Sequence, residues 1–492
     1  VKREITKILI ANRGEIAVRI IRAARELGIA TVAVYSDVDR DSAHVALADE
    51  AIALGDPQPA KSYLNAEKLF AAATETGADA IHPGFGFFSE NADFAISCEK
   101  AGLLWIGPNP RAIDMMGDKL AARETMKKAG VPIVPGSDGA VRTKEEALSW
   151  AKKIGFPVLL KASAGGGGKG MRIVRAQGDV ESAFENTRRE AASYFGDDSV
   201  FIEKFVDDPH HIEVQILGDK HGNVVHLFER ECSIQRRHQK VIEEAPSPFL
   251  LGHDDVRNRL FQVALEGARN INYDSVGTME FIVDGERNFY FLEMNTRIQV
   301  EHPVTELITG IDLVKEQIRV AMGEKISFTQ GELVARGAAI ECRLYAEDPK
   351  SFLPTPGWVH DSWFPGGPFV RVETAIMSHS KIPLDYDPMI AKICSWGRDR
   401  AEAIARMQRA LSETLIAGSI TNIAFLRATL AHPRFQKGDT TTKFIEEEQK
   451  SLSIEPEHEV LCEAISIAMR EDQRRRSLEP AKPAPWTERI RS

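Results

Sequence analysis

Residues 7–35, KILIANRGEIAVRIIRAARELGIATVAVY, read as strand, turn, helix and strand in immediate succession. Lys7 to Asn12 is an apolar run of strand length, and Arg13-Gly14 supplies a tight turn. From Glu15 to Leu27 the apolar residues Ile16, Ile20, Ala23, Ala24 and Leu27 fall on one helical stripe. Thr31 to Tyr35 is again strand-like. Strands that return beside one another through helices build an open parallel sheet covered on both faces. Short strands expected at Asp79 to His82 and Leu104 to Ile106 carry this α/β reading across a first domain, residues 1–113.

Working outward, the grammar changes at Asp118. A helix is expected from Asp118 to Ala129, then a strand at Phe156 to Ser163, a glycine run, a strand at Met171 to Val174 and a polar helix at Val180 to Phe195. Strand signals follow at Phe201 to Val206, Ile212 to Leu217, Asn223 to Glu229, Thr278 to Val283 and Asn288 to Asn295, joined by hairpin-like turns. This defines a second domain, 118–327. A third, 335–447, opens with mixed strands and a Pro/Gly-rich stretch and closes with helices near Arg400 to Leu415 and Thr421 to Leu430. A tail, 448–492, holds one helix candidate, Glu455 to Arg475, before Arg/Pro-rich sequence. No internal repeat is present.

The bulk numbers exclude more than they name. At 492 residues, 43% hydrophobic and 27% charged, the chain has the composition of a globular protein with several cores. A net charge of −10 argues against a nucleic-acid partner. Five scattered cysteines form no CxxC pair and read as reduced thiols. Cys232 reads as core. No run approaches the roughly 18 apolar residues of a membrane span, and the charged start VKREITK is unlike a signal peptide. A cytoplasmic protein is expected.

Several motifs carry chemistry. In Lys161 to Gly170 (KASAGGGGKG), Gly165, Gly167 and Gly170 satisfy GxGxxG, but a strand rather than a helix follows. A Walker A loop fails too, because Gly170 stands where Ser or Thr is needed. What remains is a glycine hairpin with lysines at both ends, suited to polyphosphate or simply a surface loop. His211, Glu213 and Gln215 share one strand face, as a site wall or a solvated face. Glu229 to Glu244 (ERECSIQRRHQKVIEE) reads as a solvated charge run, with phosphate-holding cations as the alternative.

The strongest constellation is Glu280 with Glu293. A hairpin loop at Asp284 to Asn288, centred between Glu286 and Arg287, would place the two carboxylates directly opposite. Facing carboxylates repel, which a divalent cation would relieve. Asn295 continues the face of Glu293. Arg297, Gln299 and Glu301 then alternate and, in an extended chain, point one way. A guanidinium fork, an amide and a carboxylate suit a small anion that must lose a proton, such as bicarbonate.

These segments together closely resemble biotin carboxylase, of the ATP-grasp superfamily. The likeness lies in ILIANRGEIAVRII (8–21), HPGFGFFSEN (82–91), MGDK (116–119), Lys161 to Met171, Glu229 to Lys240, LEMNTRIQVEHPVTE (292–306) and ECRLYAED (341–348). The resemblance implies an α/β architecture of N-terminal parallel sheet, ATP-grasp domain with a glycine-rich lid at about 134–204, and C-terminal α+β domain. It implies ATP contacts at Lys119, Lys161, Gly167, Gly168, Glu203, Lys204, Val206, His211, Gln235 and His238, together with Glu280 and Glu293. Glu280, Glu293 and Asn295 would hold Mg²⁺ or Mn²⁺, two ions with ATP. Arg297, Gln299, Lys240 and the main-chain N–H of Val300 would hold bicarbonate, and Glu301 would deprotonate it. Arg343 would stabilise the biotin enolate near Phe85. Arg19, Arg22 and Glu26 match a dimer-interface helix, so a homodimer is expected.

Two departures concern biotin. Phe85 stands where the family usually has Tyr, and Leu344-Tyr345 replaces a common Ile-Asn. No biotin-attachment segment is present, and the one Met-Lys, Met126-Lys127, lies in an expected helix. A stand-alone subunit is therefore expected, with biotin as carrier-linked substrate and a biotin carboxyl carrier protein and a carboxyltransferase as partners. The alternatives are another ATP-grasp carboxylate–amine ligase, a dinucleotide oxidoreductase, which is the least supported, and a non-catalytic interaction subunit.

Overall fold

In the computed structural model the first sheet has the order β3-β2-β1-β4-β5, built from β1 (Lys7–Ile10), β2 (Ala30–Ser36), β3 (Glu50–Gly55), β4 (Ala80–His82) and β5 (Leu104–Trp105). Every pairing in it is parallel. The described residues are 3–162, 171–195, 198–237, 239–452, 454 and 468–474, with the main chain alone at 119, 120, 194 and 195. Ile8 and Ile10 face one core, shared with the Gly14–Glu26 helix, and Leu9 and Ala11 face another. Alternate residues of one strand thus serve two apolar layers, as a doubly covered sheet requires. Beyond β4, Asn12 Nδ2 donates to the carbonyls of Pro83 (2.6 Å) and Phe85 (2.7 Å). Gly84 lies between them at φ +63°, where a Cβ would fall 2.9 Å from Asn12 Nδ2.

A small antiparallel sheet follows, β7-β6-β8, from β6 (Val158–Ala162), β7 (Met171–Val174) and β8 (Val200–Lys204). The helices Lys144–Ile154 and Val180–Phe195 cover it over a core of its own, which includes Ala147, Ala151, Val158, Leu160 and Ile202.

The remaining strands are β9 (His210–Gly218), β10 (Val224–Arg236), β11 (Gln239–Ala245), β12 (Ser275–Val283), β13 (Phe289–Asn295), β14 (Ala338–Tyr345), β15 (Gly357–Val359), β16 (Asp361–Trp363), β17 (Val370–Thr374), β18 (Ser380–Ile382), β19 (Met389–Gly397) and β20 (Leu415–Ala417). Eight of them form one sheet, β13-β12-β9-β10-β11-β14-β19-β17, while β15 pairs with β18 and β16 with β20. The junction β11–β14 runs in register from Ile242↔Cys342 to Ala245↔Ala339. Strands from the stretches 118–327 and 335–447 therefore share a single sheet. Ile212, Val214, Ile216, Met279 and Phe281 form its apolar layer at one end, packed with the Asp254–Asn270 helix. At the other end Ile340, Leu344 and Ile390 pack with Ala403, Met407 and Ala410 of the Arg400–Glu413 helix.

Some expectations need correction. The Glu229–Glu244 run is no solvated face: it forms the end of β10 and most of β11, and Glu229, Arg230, Glu231, Glu243 and Glu244 are all buried. The helix expected to reach Leu415 ends at Glu413, because Leu415–Ala417 pairs as β20. Of the tail helix, 468–474 is helical, and the rest of that expectation lies outside the described residues. The glycine run from Ser163 to Gly170 lies outside them too.

Candidate active site

The polar face of the large sheet is organised by one row of residues. Arg230 on β10 stands opposite Glu213 on β9, Glu213 opposite Glu280 on β12, and Glu280 opposite Glu293 on β13. The Glu280–Glu293 pairing agrees with the spacing argument, but its cause differs. Phe281↔Phe291, Ile282↔Tyr290 and Val283↔Phe289 centre the turn on Glu286. Asp284 closes that turn by accepting the main-chain N–H groups of Glu286 and Asn288, each at 2.9 Å. The register then shifts between Glu280 and Phe281, leaving Leu292 as an extra, half-exposed residue. Without this bulge Glu280 would meet Leu292, and Glu293 would point to the opposite face.

Lys240, near the start of β11, is the hub. Its Nζ lies 2.6 Å from Glu213 Oε2, 2.8 Å from Glu280 Oε1, 2.7 Å from Glu301 Oε1 and 3.1 Å from Gln299 Oε1. Burial alone would lower its pKa, but the three carboxylates outweigh burial and raise it well above the ordinary lysine value. Burial would raise Glu280, yet Lys240 and His211 hold it well below the usual carboxylate range. His211 Nε2 is 3.2 Å from Glu280 Oε2. Arg230, fully buried, donates to Glu213 (2.5 Å), Gln215 (2.6 Å), Thr305 (2.9 Å) and Thr278 (3.1 Å).

Arg343 of β14 joins this centre from the other half of the sheet. Its Nη2 is 2.9 Å from Glu301 Oε2 and its Nε 2.6 Å from Glu243 Oε1. Glu301 thus bridges Lys240 and Arg343, and these cations overcome burial to depress its pKa. Glu243 faces Glu341 across β11 and β14. Burial raises both carboxyls. With Arg343 engaging Glu243, the proton of the pair belongs on Glu341.

The alternation from Arg297 to Glu301 does not survive as an extended strand. β13 ends at Asn295, and Glu301 is the N-cap of the His302–Thr309 helix. Gln299 and Glu301 converge on Lys240, whereas Arg297 donates to Glu90 (2.9 Å) and Asn295 (2.7 Å). The Val300 carbonyl accepts from Lys392. Among the nucleotide candidates, Glu203 pairs with Lys161 (2.7 Å) and Arg123 (3.1 Å). The Lys204 ammonium is spent on the carbonyls of Gly155 and Phe156, and Gln235 donates to the carbonyl of Cys232. Val206 is half-buried beside them in sequence. Gly167, Gly168, His238 and the Lys119 side chain lie outside the described residues. Phe85 packs against a core that Ile8, Ile10 and Ile16 share with Leu217, Val276 and Ile298, while the described hydrogen bonds of the Arg343 guanidinium go to Glu243 and Glu301.

The donor set fits a hard cation. Glu213, Glu280 and Glu301 crowd one ammonium, and His211, Glu213 and Glu280 present ligand atoms within 4.8 Å of one another. Asn295 Nδ2 is buried with no partner among the described residues, and Asn295 Oδ1, the atom that could ligate, accepts from Arg297 at 2.7 Å. Carboxylate and amide oxygens beside excess negative charge suit Mg²⁺. Sequence reasoning missed Glu243, Glu90 and Lys392 as parts of the site and left Arg230 as one cation of a charge run. Glu213 was visible in the His211/Glu213/Gln215 alternation, but nothing local marked it as Lys240's partner.

Three family models match: "Biotin carboxylase, N-terminal domain" over residues 4–113, "Carbamoyl-phosphate synthase L chain, ATP binding domain" over 118–329, and "Biotin carboxylase C-terminal domain" over 341–447. A biotin carboxylase from Nostoc sp. is 54% identical over 90% of this chain and 99% of its own. Biotin carboxylase 1 of Bacillus subtilis is 53% identical over 90% of this chain and 98% of its own. The biotin carboxylase domain dimer of Hydrogenobacter thermophilus 2-oxoglutarate carboxylase, solved with MgADP, ADP and bicarbonate, superposes with a TM-score of 0.84 at 48% identity, covering 92% of this chain and 99% of that one.

The parallel first sheet, the ATP-binding segment and a carboxylate row gathered on one ammonium define an ATP-dependent ligase of the ATP-grasp class. Within that class, the chain belongs to the biotin carboxylase family. No helix among the described residues is long and apolar enough to cross a membrane.

Proposed function

We propose that this chain carboxylates biotin borne on a separate carrier protein, as the first half-reaction of a biotin-dependent carboxylase. The observation that carries the reading is Glu301, held between Lys240 at 2.7 Å and Arg343 at 2.9 Å. In this reading that carboxylate stands between a reactant on the phosphate side and one on the biotin side. The relatives support it, because the 2-oxoglutarate carboxylase domain binds MgADP and bicarbonate and is a dimer.

In this reading Arg297, Gln299, Lys240 and the Val300 N–H hold bicarbonate. The anion draws on the positive charge of Lys240, which loosens its grip on Glu301. The carboxylate then becomes basic enough to take the bicarbonate proton. A bicarbonate oxygen attacks the γ-phosphorus of ATP, ADP leaves, and carboxyphosphate results. It breaks down to CO₂ and phosphate; the phosphate takes the N1 proton of biotin, and N1 bonds to CO₂. Arg343 stabilises the negative ureido oxygen, with Phe85 near the ring. Lys161, Glu203, Lys204, Val206, His211, Gln235 and His238 contact the nucleotide, and the β7-β6-β8 unit with its glycine run closes over it to exclude water. Glu280, Glu293 and Asn295 would hold Mg²⁺, or Mn²⁺ in its place, whose charge would neutralise the phosphates. The chain works as a homodimer through the helix that bears Arg19, Arg22 and Glu26, with a carboxyltransferase consuming its product.

ADP release measured with and without bicarbonate and free biotin tests this reading. Release should require bicarbonate and rise with biotin. Bicarbonate-independent release would favour another ATP-grasp ligase.

A further inference from the structure

Lys392 has a position that charge balance alone does not explain. It lies on β19 directly across from Arg343 on β14, and it is fully buried. Two cations facing one another across strands repel, and a buried ammonium needs compensation. Glu15 Oε2 at 3.2 Å supplies that, with Glu373 opposite Lys392 on β17. Yet Lys392 Nζ also donates to the carbonyl of Val300 at 2.7 Å. The facing pair therefore grips two consecutive residues, Val300 by its main chain and Glu301 by its carboxylate. On the other side of Val300, His302 Nδ1 donates to the carbonyl of Gln299 at 2.7 Å. Burial and the nearby cations Lys392, Arg19 and Arg371 keep His302 neutral, as that bond allows. The Gln299 carbonyl shares its peptide plane with the Val300 N–H, and the Val300 carbonyl belongs to the next plane, so the two bonds pin Val300 from both sides.

We infer that Lys392 is a positioning residue for bicarbonate: by pinning the Val300–Glu301 peptide plane, while His302 pins the plane that carries the Val300 N–H, it keeps Val300 from turning that N–H away from the anion. The inference rests on the reading of Arg297, Gln299 and Val300 as the bicarbonate cradle. It requires no contact between Lys392 and any substrate. Its loss should therefore weaken one substrate and spare the other.

The test is the double variant Lys392→Met/Glu15→Gln, which removes both members of the ion pair and strands no buried charge. ADP release is measured against bicarbonate at saturating MgATP and against MgATP at saturating bicarbonate. The KM for bicarbonate should rise about tenfold, the effect of losing one charged hydrogen bond, with the KM for MgATP and the Tm near wild type. Lys392→Arg keeps the charge and displaces the donors. It should show the same selective rise, and it decides the matter if the double variant does not fold. An unchanged bicarbonate KM, or equal loss of both substrates with a lowered Tm, overturns the inference. Arg297→Ala separates the two levels. If it too leaves the bicarbonate KM unchanged, the cradle reading fails; if it alone raises that KM, only the role of Lys392 fails.

Discussion

The two halves of the eight-stranded sheet bury charge in opposite ways. On the β9–β12 side Glu213, Glu280 and Glu301 converge on one ammonium, Lys240, with Arg230 behind Glu213 and Arg343 behind Glu301. On the β14–β19–β17 side the cations have carboxylates of their own: Arg343 with Glu243, Lys392 with Glu15, Arg371 with Glu306 and Glu373. The first half gathers its carboxylates at one point, where cations could arrive with a nucleotide. The second spreads its ion pairs along the strands and suits holding a geometry. Buried ion pairs add little net stability, but breaking one by removing a single partner is costly.

The largest test of this contrast is Lys240→Met. Leaving three carboxylates around an apolar side chain should cost about 3–5 kcal/mol and abolish bicarbonate-dependent ADP release. Added Mg²⁺ should then raise the Tm of the variant more than that of wild type; an equal shift, read by thermal melts, would break the contrast. Next in size is Arg343→Ala on the β14–β19–β17 side. Biotin carboxylation should fall on the order of 10²-fold, and bicarbonate-dependent ATP cleavage by clearly less, because Lys240 still holds Glu301. Equal losses in the two assays would contradict the division.

A smaller effect concerns pH. Burial raises the Glu341 carboxyl well above the ordinary value of 4.5, so the folded state binds a proton that the unfolded state gives up. Its contribution is full below pH 4.5 and is lost as pH rises toward the folded value. Glu341→Gln should flatten the decline in stability above pH 4.5, as followed by urea melts across pH; an unaltered slope would place the proton elsewhere. The smallest effect is expected at Leu292→Ser. The bulge residue is 48% exposed, and stability should stay within about 0.5 kcal/mol with activity unchanged. A large loss would mean that the Leu292 side chain, and not the extra residue as such, sets the Glu280–Glu293 pairing.

The sequence made the periodic parts of this molecule legible. The strand–helix–strand run from Lys7 was readable because its apolar residues recur at strand and helix spacings. Glu280 and Glu293 were readable as partners because a short turn lies between them, although the Leu292 bulge that completes the register left no local mark. The Glu229–Glu244 run misled because buried and solvated charges look alike until their partners are known. Those partners lie far away in the chain: Lys240 meets Glu301, Arg236 meets Glu347, and Arg400 meets Glu244. Lys392 was invisible for the same reason. It sits in an apolar strand, and its partners Glu15 and Val300 come from two distant segments.

The unbroken ladder between β11 and β14 has a mechanical consequence. Ile242, Glu243, Glu244 and Ala245 are buried and paired there, so hinging at this seam would tear main-chain hydrogen bonds out of the interior. Lys240 and Arg343 are therefore two marks on one ruler. Their spacing is set within one sheet, and in the proposed reading closure belongs to the separate β7-β6-β8 unit. If the proposed roles of Lys240 and Arg343 hold, the span that an activated one-carbon group must cross is a fixed length written into the sheet, and the reactant, rather than the protein, makes the crossing.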